Sequence, residues 1–380
     1  MKKILFALLA LSLFACRSNK TDQNELEFAY QEKEIKPETY YSEDVKFINE
    51  KENFTLAGTL TLPYKEGVFP AAILISGSGA QNRDEEIMGH KPFLVLADHL
   101  TRNGIAVLRF DDRGFGESEG GRQDVTTENF ADDVEAAVNY LFSRSEIDKT
   151  KTGLIGHSEG GIIAPMLAAK SNNIAFIVLL AGPGIQLKDL LLMQTALISK
   201  AMGTSDSIIE QSTAVNKQLY EIACNIDNSE ERAEKATEYI KTYLSKLPPE
   251  QKGGATDEEI ISKALKEINN PWIVYFLRYN PAAALEKVKC PVLALNGNKD
   301  LQVTSKENLD GIKKALEKGG NKDFTIKELD GLNHLFQKCN TGSPAEYATI
   351  KQTFSPVAMR EISDWILNKV TLSENIQITN

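Results

Sequence analysis

Residues 152–163, with the sequence TGLIGHSEGGII, decide the fold of this chain. The short apolar run Gly153–Ile155 leads into a G-x-S-x-G motif centred on Ser158, and an apolar stretch with helical character follows. A G-x-S-x-G motif between a strand and a helix is typical of a strained turn that carries a nucleophile, because glycines avoid clashes with the neighbouring strand and helix. The helix dipole favours negative charge that develops beside the serine. This context predicts that Ser158 is a catalytic nucleophile.

Short apolar runs lie on both sides of this motif and alternate with helical patterns. Unbroken apolar runs are typical of strands that are buried on both faces of a parallel sheet. The predicted strands are Ala71–Ile75, Ile105–Arg109, Thr152–Ile155, Ala175–Leu180, Val292–Leu295 and Phe324–Leu329. The predicted helices include Pro92–Arg102, Glu128–Phe142, Gly160–Lys170 and Lys306–Glu317. The alternation predicts an α/β fold with a mostly parallel central sheet and helices on both faces.

Two segments depart from this alternation. Val45–Ile48 and Phe54–Leu62 flank turn residues and predict an antiparallel hairpin. Between Leu180 and Pro291 strand signals are missing, and the helical stretches are Asp189–Met202, Ser207–Ala223, Glu230–Leu244 and Glu258–Glu267. We interpret residues 184–281 as a helical cap that is inserted into the core. The predicted boundaries of the remaining parts are 44–183 and 282–370 for the two parts of the core and 371–380 for a C-terminal tail.

The GHSEGG motif and two further stretches resemble the α/β-hydrolase superfamily, and within it the bacterial serine carboxylesterases. Acyl-peptidases and dienelactone hydrolases are related to these enzymes. The further stretches are ISGSG at 75–79 and DDRGFGES at 111–118, and the second matches a D-x-R-G-x-G-x-S turn of the superfamily. The resemblance extends from Asp44 to Lys369. It implies an α/β-hydrolase fold, catalytic residues in the chain order Ser, acid, His, and a role for Arg113 in tying loops together.

The resemblance also implies the partners of Ser158. A serine hydroxyl needs a base to take its proton and a carboxylate to orient that base. His334, which follows the last predicted strand, is the one histidine downstream of Ser158 and matches the catalytic histidine of the superfamily. Asp300 lies in a turn after the strand Pro291–Leu295 and resembles the superfamily's acid. Asp330 is the alternative acid, but it lies only four residues before His334, so we expect its carboxylate to shape that turn.

The oxyanion hole is expected to consist of backbone N–H groups. The resemblance assigns the first donor to Glu159, directly after the nucleophile. The second donor is assigned to Ser78, by analogy with an H-G-x turn of the superfamily in which Ser76 of this chain replaces the histidine. Gly79 and Gln81 remain alternatives for this second donor.

The sequence leaves open the roles of two polar features near the motif. His157 precedes the nucleophile, but its side chain is expected to point away from the Ser158 hydroxyl, so we favour a packing or loop contact. The segment 81–84, with the sequence QNRD, either shapes the leaving-group side of the site or forms only a polar loop.

The N-terminus is typical of an exported lipoprotein. A basic pair at positions 2 and 3 precedes the apolar run Ile4–Ala15, which as a helix spans only about 18 Å, too short for a hydrocarbon core of about 30 Å. The sequence LFAC at 13–16 resembles the lipobox of bacterial lipoproteins, whose cysteine is diacylated. We expect residues 1–15 to be a signal peptide, Cys16 to carry the lipid and residues 16–43 to form a polar tether. The protein would then be held to a bacterial membrane, in the periplasm or at the cell surface; the alternative is an ordinary secreted protein.

The composition excludes several other classes of function. With 43 Lys and Arg against 53 Asp and Glu, the formal charge is −10, which disfavours nucleic acid as a partner because phosphate binding requires clustered basic residues. Four histidines and four widely spaced cysteines give little support to a metal or haem site. We expect neither a metal nor an organic cofactor. Cys224, Cys290 and Cys339 are expected to be buried structural thiols.

These features together predict a serine carboxylesterase that cleaves small-molecule esters through an acyl-enzyme. A cap that closes over the acyl group would leave a pocket of finite length, which predicts short to medium acyl chains. The alternatives are an aminopeptidase or acyl-peptidase-like hydrolase, a thioesterase and, more remotely, a lipoprotein that only binds a ligand. Ester hydrolysis is favoured over acyl-peptidase activity because a gating β-propeller would need hundreds of further residues upstream. The ligand-binding alternative is disfavoured because none of the expected triad residues is missing.

Overall fold

The computed structural model describes residues 39–248, 252 and 254–377, and in this part of the chain an eight-stranded sheet forms the centre of the molecule. The strands are β1 (Tyr41–Asn49), β2 (Phe54–Leu62), β3 (Phe69–Ile75), β4 (Ala106–Phe110), β5 (Ile147–His157), β6 (Ile177–Leu180), β7 (Val292–Gly297) and β8 (Phe324–Leu329). The predicted signal peptide, Cys16 and most of the tether lie outside the described residues.

Helices connect most of the strands. In chain order they are α1 (Pro92–Arg102), α2 (Thr127–Ser143), α3 (Gly160–Ala168), α4 (Leu187–Ala201), α5 (Asp206–Asn225), α6 (Ser229–Leu244), α7 (Asp257–Ile268), α8 (Pro271–Arg278), α9 (Ala282–Leu285), α10 (Ser305–Lys318) and α11 (Pro356–Gln377). Within the described ranges, none of these helices is long and apolar enough to cross a membrane.

The sheet order is β1-β2-β4-β3-β5-β6-β7-β8. The hairpin β1–β2 is antiparallel and joins β4 in antiparallel fashion, whereas all other neighbours are parallel. The predicted hairpin and the mostly parallel α/β fold are therefore confirmed. Because β5 lies between β3 and β6, the turn after β5 is flanked by the ends of two parallel strands. Ile75 at the end of β3 pairs with Gly156, so the loop after β3 begins beside the G-x-S-x-G turn.

The core lies on both faces of the sheet. Leu154 and Ile155 are adjacent in β5, are fully buried, and belong to two different apolar clusters because successive strand residues point to opposite faces. One cluster contains Val134 of α2, and the other contains Leu96 of α1 and Ile362 of α11. The layers of helices on both faces confirm the expected arrangement.

Three details differ from the sequence-based expectations. Phe324–Leu329 was expected to be buried on both faces, but β8 pairs only with β7 at the edge of the sheet, and only Leu329 of this strand is fully buried. Its polar residues Thr325, Lys327 and Glu328 are exposed. The interval 184–281 contains a fifth helix, α8, in addition to the expected ones. Cys224, Cys290 and Cys339 are free thiols, as expected, but each is half-buried rather than fully buried.

Candidate active site

The turn after β5 has the backbone strain that its glycines predict. Ser158 has a φ of 52°, a left-handed conformation that is uncommon for residues with a side chain. A Cβ atom on Gly156 would lie 2.0 Å from the carbonyl oxygen of Gly160, and one on Gly160 would lie 2.2 Å from that of Ile75. Only glycine therefore fits at these two positions. The turn brings Ser158 to the carboxyl edge of the sheet, directly before α3.

Asp300 and His334 meet at the same edge of the sheet. Asp300 follows β7 and His334 follows β8, and His334 Nδ1 lies 2.7 Å from Asp300 Oδ2. Both side chains are buried. The other carboxylate oxygen of Asp300 accepts hydrogen bonds from the backbone N–H groups of Gln302, at 2.8 Å, and Val303, at 2.9 Å. A carboxylate that accepts from Nδ1–H leaves the lone pair of the neutral imidazole on Nε2, the form that can take a proton.

Asp330 has a different environment. Its side chain is exposed, and its Oδ1 accepts a hydrogen bond from Asn298 Nδ2 at 2.8 Å. The Asn298 side chain also accepts from the backbone N–H of Gly331 at 2.9 Å. Asp330 thus lies in a turn contact, whereas Asp300 contacts His334.

The Ser158 hydroxyl makes no hydrogen bond with any of the residues that the structure describes. Its backbone N–H is fixed by the carbonyl of Leu180 at 2.9 Å. Hydrogen bonds of a serine nucleophile are often loose before substrate binds and tighten in the complex. The Leu180 carbonyl thus fixes the backbone of Ser158 at the end of β6.

The loop after β3 approaches the nucleophile. A Cβ atom on Gly77 would lie 3.1 Å from the Cβ of Ser158. The N–H of Gly77 is already bound to Glu85 Oε1 at 2.7 Å. Among the described residues, the N–H groups of Ser78 and Glu159 make no hydrogen bond. These two expected oxyanion donors are therefore available, whereas Gly77 is not.

The side chain of Glu159 has contacts that the sequence analysis missed. Its Oε1 accepts hydrogen bonds from Thr127 Oγ1 at 2.6 Å and from Trp272 Nε1 at 2.8 Å. Burial raises the pKa of this carboxyl group, although the bonds from Thr127, Trp272 and the Ser78 hydroxyl oppose the shift. Glu159 thereby links α2 and α8 next to the nucleophile. Its partners in the chain lie 32 and 113 residues away, so no local pattern could indicate them.

His157 and Glu85 form a second pair behind the first. His157 Nδ1 lies 2.8 Å from Glu85 Oε1, and Nε2 lies 2.9 Å from the backbone carbonyl of His334. Burial favours the neutral imidazole, but the charge and hydrogen bond of Glu85, together with the His334 carbonyl and the charge of Asp300, outweigh it, so the pKa of His157 is raised. His157 thus makes the loop contact that the sequence favoured, and Glu85 is a residue that the sequence analysis missed.

The DDRGFGES turn ties loops together beneath the site. Arg113 is fully buried and its guanidinium binds Asp133 and Glu52, the first through Nε at 2.7 Å. The Arg83 side chain binds Asp111, with Nη2 2.7 Å from Oδ2. The Arg83–Asp111 pair holds the segment 81–84 against the turn at 111–118, and the Arg113 pairs tie the same turn to α2 and to the β1–β2 hairpin.

This fold, with a strained serine turn after its central strand, defines an α/β hydrolase. The family described as "Serine aminopeptidase, S33" matches residues 91–338, and the chain belongs to this family.

One curated relative and two solved structures are similar to this chain. The chain is 26% identical to Esterase EstD of Thermotoga maritima over 335 residues, which cover 88% of this chain and 69% of that protein. A crystal structure of the hypothetical protein PA2218 from Pseudomonas aeruginosa is similar with a TM-score of 0.53 and 15% identity, and covers 92% of this chain and 98% of that one. The structure of DcsB with its substrate analogue is similar with a TM-score of 0.51 and 15% identity, covering 87% and 99%. At these identities the two structures support the fold alone.

Proposed function

We propose that this protein is a serine carboxylesterase in which Ser158, His334 and Asp300 form the catalytic triad. The observation that carries the proposal is the buried His334–Asp300 hydrogen bond of 2.7 Å at the sheet edge where the strained turn presents Ser158. A nucleophile, a base and an orienting carboxylate are the parts that acyl transfer requires.

The mechanism follows from these positions. Ser158 Oγ attacks the ester carbonyl while His334 Nε2 takes the hydroxyl proton, and Asp300 stabilises the imidazolium that forms. The backbone N–H groups of Glu159 and Ser78 bind the oxyanion of the tetrahedral intermediate. His334 then gives its proton to the leaving alkoxide, and an acyl-enzyme remains on Ser158. Water, activated by His334 in the same way, releases the carboxylic acid and restores the serine.

Two buried carboxyl groups near the loop after β3 already accept hydrogen bonds from donors of the protein, which supports a neutral acyl group over a substrate ammonium. Burial raises the pKa of Asp112 to about 7, and its oxygens accept from Ser76 Oγ and from the backbone N–H of Gln81, each at 2.9 Å. Glu159 is likewise buried, with its own donors and a raised pKa. An aminopeptidase needs a charged carboxylate free to bind the α-ammonium group. The similarity to Esterase EstD along most of the chain supports the same choice.

The contacts of the helical insertion support a preference for short to medium acyl chains. Trp272 of α8 reaches Glu159, the residue after the nucleophile, and stacks on Phe276 with ring centroids 4.8 Å apart. Gln194 of α4 contacts Gln302, which lies in the turn that holds Asp300, at 3.3 Å. An insertion anchored to both sides of the site would limit the length of the acyl pocket. Each methylene adds about 0.8 kcal/mol of binding only while it is buried.

The proposal includes export and lipid anchoring. The signal-like residues 1–15 and the lipobox-like end at Cys16 support attachment to a bacterial membrane through acyl chains. The formal charge of −10 disfavours electrostatic attraction to anionic lipids, so the lipid would do the anchoring.

The test is a panel of chromogenic esters from acetyl to palmitoyl, assayed beside aminoacyl anilides. The proposal predicts ester cleavage with an optimum among the shorter chains and slow cleavage of anilides. Ser158→Ala should be folded and inactive, and should resist labelling by a fluorophosphonate that labels the wild type. Faster cleavage of anilides than of esters would assign the protein to the peptidases, and activity retained by Ser158→Ala would refute the mechanism.

A further inference from the structure

We propose that Glu85 and His157 are a positioning pair. The pair keeps His334 and the loop after β3 correctly placed relative to Ser158. The inference rests on the proposed function, because it assigns a role to residues that do not themselves touch the reacting atoms.

The hydrogen-bonding partners determine where the protons of His157 lie. Nε2 faces the carbonyl oxygen of His334 at 2.9 Å, and since a carbonyl only accepts, Nε2 must carry a proton. Nδ1 faces Glu85 Oε1 at 2.8 Å, and the same oxygen accepts the Gly77 N–H at 2.7 Å. Two unprotonated acceptor atoms at this distance would repel each other, so a second proton lies between Nδ1 and Oε1, and the raised pKa of His157 places it on the imidazole. The arrangement is therefore a buried imidazolium paired with a carboxylate.

The surroundings of His157 contain few other charges that could replace Glu85. The charged groups that raise its pKa are Glu85 and, more weakly, Asp300. The His334 ring lies with its centroid 4.7 Å from that of His157, and the Phe336 ring meets it edge-on at 6.5 Å. Both members of the pair are almost fully buried, His157 with 5% and Glu85 with 1% of their surface exposed. Bulk water therefore cannot substitute for a lost hydrogen bond.

The pair joins three separate loops. His157 belongs to the strained turn, Gly77 to the loop that carries the expected oxyanion donor Ser78, and His334 to the loop after β8. The His334 ring is held by Asp300 and its backbone by His157. Loosening these loops would misplace the base and the oxyanion donor when the transition state forms. Such a defect lowers kcat more than it raises KM.

The test compares Glu85→Ala with Glu85→Gln. In Glu85→Gln the amide oxygen, placed where Oε1 lies, can still accept from Gly77 and from Nδ1–H, but a neutral imidazole with its proton on Nδ1 has none on Nε2 for the His334 carbonyl. We expect Glu85→Ala to lower kcat on the order of tenfold while KM changes less than about threefold, and Glu85→Gln, which keeps the Gly77 contact, to lower kcat by a smaller factor. Each kcat is normalised to the sites that a fluorophosphonate titrates. His99→Gln is the control, since His99 is a half-buried histidine of α1 bound to Ser363.

The pH profile separates positioning from general stability. In the wild type, the pair loses its shared proton as pH rises through the raised pKa of His157, so kcat should fall on that alkaline limb. Glu85→Gln removes the charge that raises the pKa of His157, so its imidazole is already neutral in this pH range and the variant should lack this limb. A second readout is independent of activity: ¹⁵N-histidine NMR should show a His157 imidazolium that persists above pH 7 in the wild type and disappears in Glu85→Gln.

Three results would overturn the inference: full kcat in Glu85→Ala, identical pH profiles for the wild type and Glu85→Gln, or a neutral His157 in the wild type at pH 7. If Glu85→Ala does not fold, the comparison of Glu85→Gln with the wild type decides. These outcomes are distinct from failure of the proposed function, which would appear as ester cleavage by Ser158→Ala or as no ester cleavage by the wild type. The NMR measurement of His157 does not depend on which reaction the protein catalyses.

Discussion

Asp300→Asn isolates the role of the carboxylate that we assign to the triad. Asp300 Oδ1 accepts two backbone N–H groups, and Oδ2 faces His334 Nδ1 at 2.7 Å. An asparagine can satisfy the backbone donors only with its oxygen, so its NH₂ group must face His334. Nδ1 must then accept, and the proton moves to Nε2, where it prevents His334 from acting as a base. Replacing the triad aspartate in this way is expected to cost about 10⁴-fold in kcat, or about 5 kcal/mol of transition-state stabilisation.

Asp330→Asn is the matched control. Asp330 is exposed and accepts a single side-chain bond from Asn298, which an amide oxygen can also accept. The change should alter kcat/KM by no more than about twofold, as for most surface substitutions. Both variants are assayed with the same short-chain ester, after circular dichroism has shown that each is folded. A larger loss in Asp330→Asn than in Asp300→Asn, or less than a tenfold loss in Asp300→Asn, would refute the assignment.

Three further predictions concern the pocket, the stability and the anchor. Trp272→Ala should move the kcat/KM optimum toward longer acyl chains. Trp272→Phe preserves an aromatic ring beside Phe276 and should move the optimum less. An unchanged optimum in Trp272→Ala would show that α8 does not line the pocket. Glu267 has a buried Oε1 without a hydrogen-bond partner, and burial raises its pKa from 4.5 to about 7. Its ionisation therefore opposes folding as pH rises from about 4.5 to 7. Glu267→Gln should raise the free energy of unfolding by roughly 2 kcal/mol at pH 8 and by almost nothing at pH 4.5. Thermal unfolding at the two pH values measures this difference. Cys16→Ser should abolish partitioning into the detergent phase of a cloud-point extraction, and a wild-type N-terminus without lipid mass would contradict the anchor.

The parts of the fold that depend on local pattern could be predicted from the sequence. The buried run before Ser158 and the alternating residues of the β1–β2 hairpin carry their own periodicity, so their positions could be predicted to within a few residues. The position of β4 between β2 and β3 could not be predicted, because strand order depends on pairing between distant segments. For β8, the polar residues in the run were the signal of an edge strand that the prediction disregarded.

The residues of the candidate site likewise fall into those that the sequence predicts and those that only the folded structure shows. Ser158 lies in a recognisable motif, and His334 and Asp300 follow from the order of residues that the superfamily resemblance implies. Glu85 and the side chain of Glu159 could not be found in this way. Their partners His157 and Trp272 lie 72 and 113 residues away, and neither glutamate lies in a pattern that distinguishes it from other polar loop residues. Only the folded chain brings these groups together.

Three buried carboxyl groups surround the strained turn, and each holds a different part of the site. Asp300 orients the proposed base, Glu85 binds the loop after β3 and the imidazole of His157, and Glu159 binds Trp272 of the helical insertion. Burying a carboxyl group is unfavourable unless hydrogen bonds compensate for the lost water, and each of these groups receives at least two donors. Because the three sets of partners do not overlap, substitutions at the three positions should change different quantities. Loss of Asp300 should remove the chemistry, loss of Glu85 should lower kcat at nearly constant KM, and loss of the Glu159 side chain should alter acyl-chain selectivity while its backbone N–H remains in place.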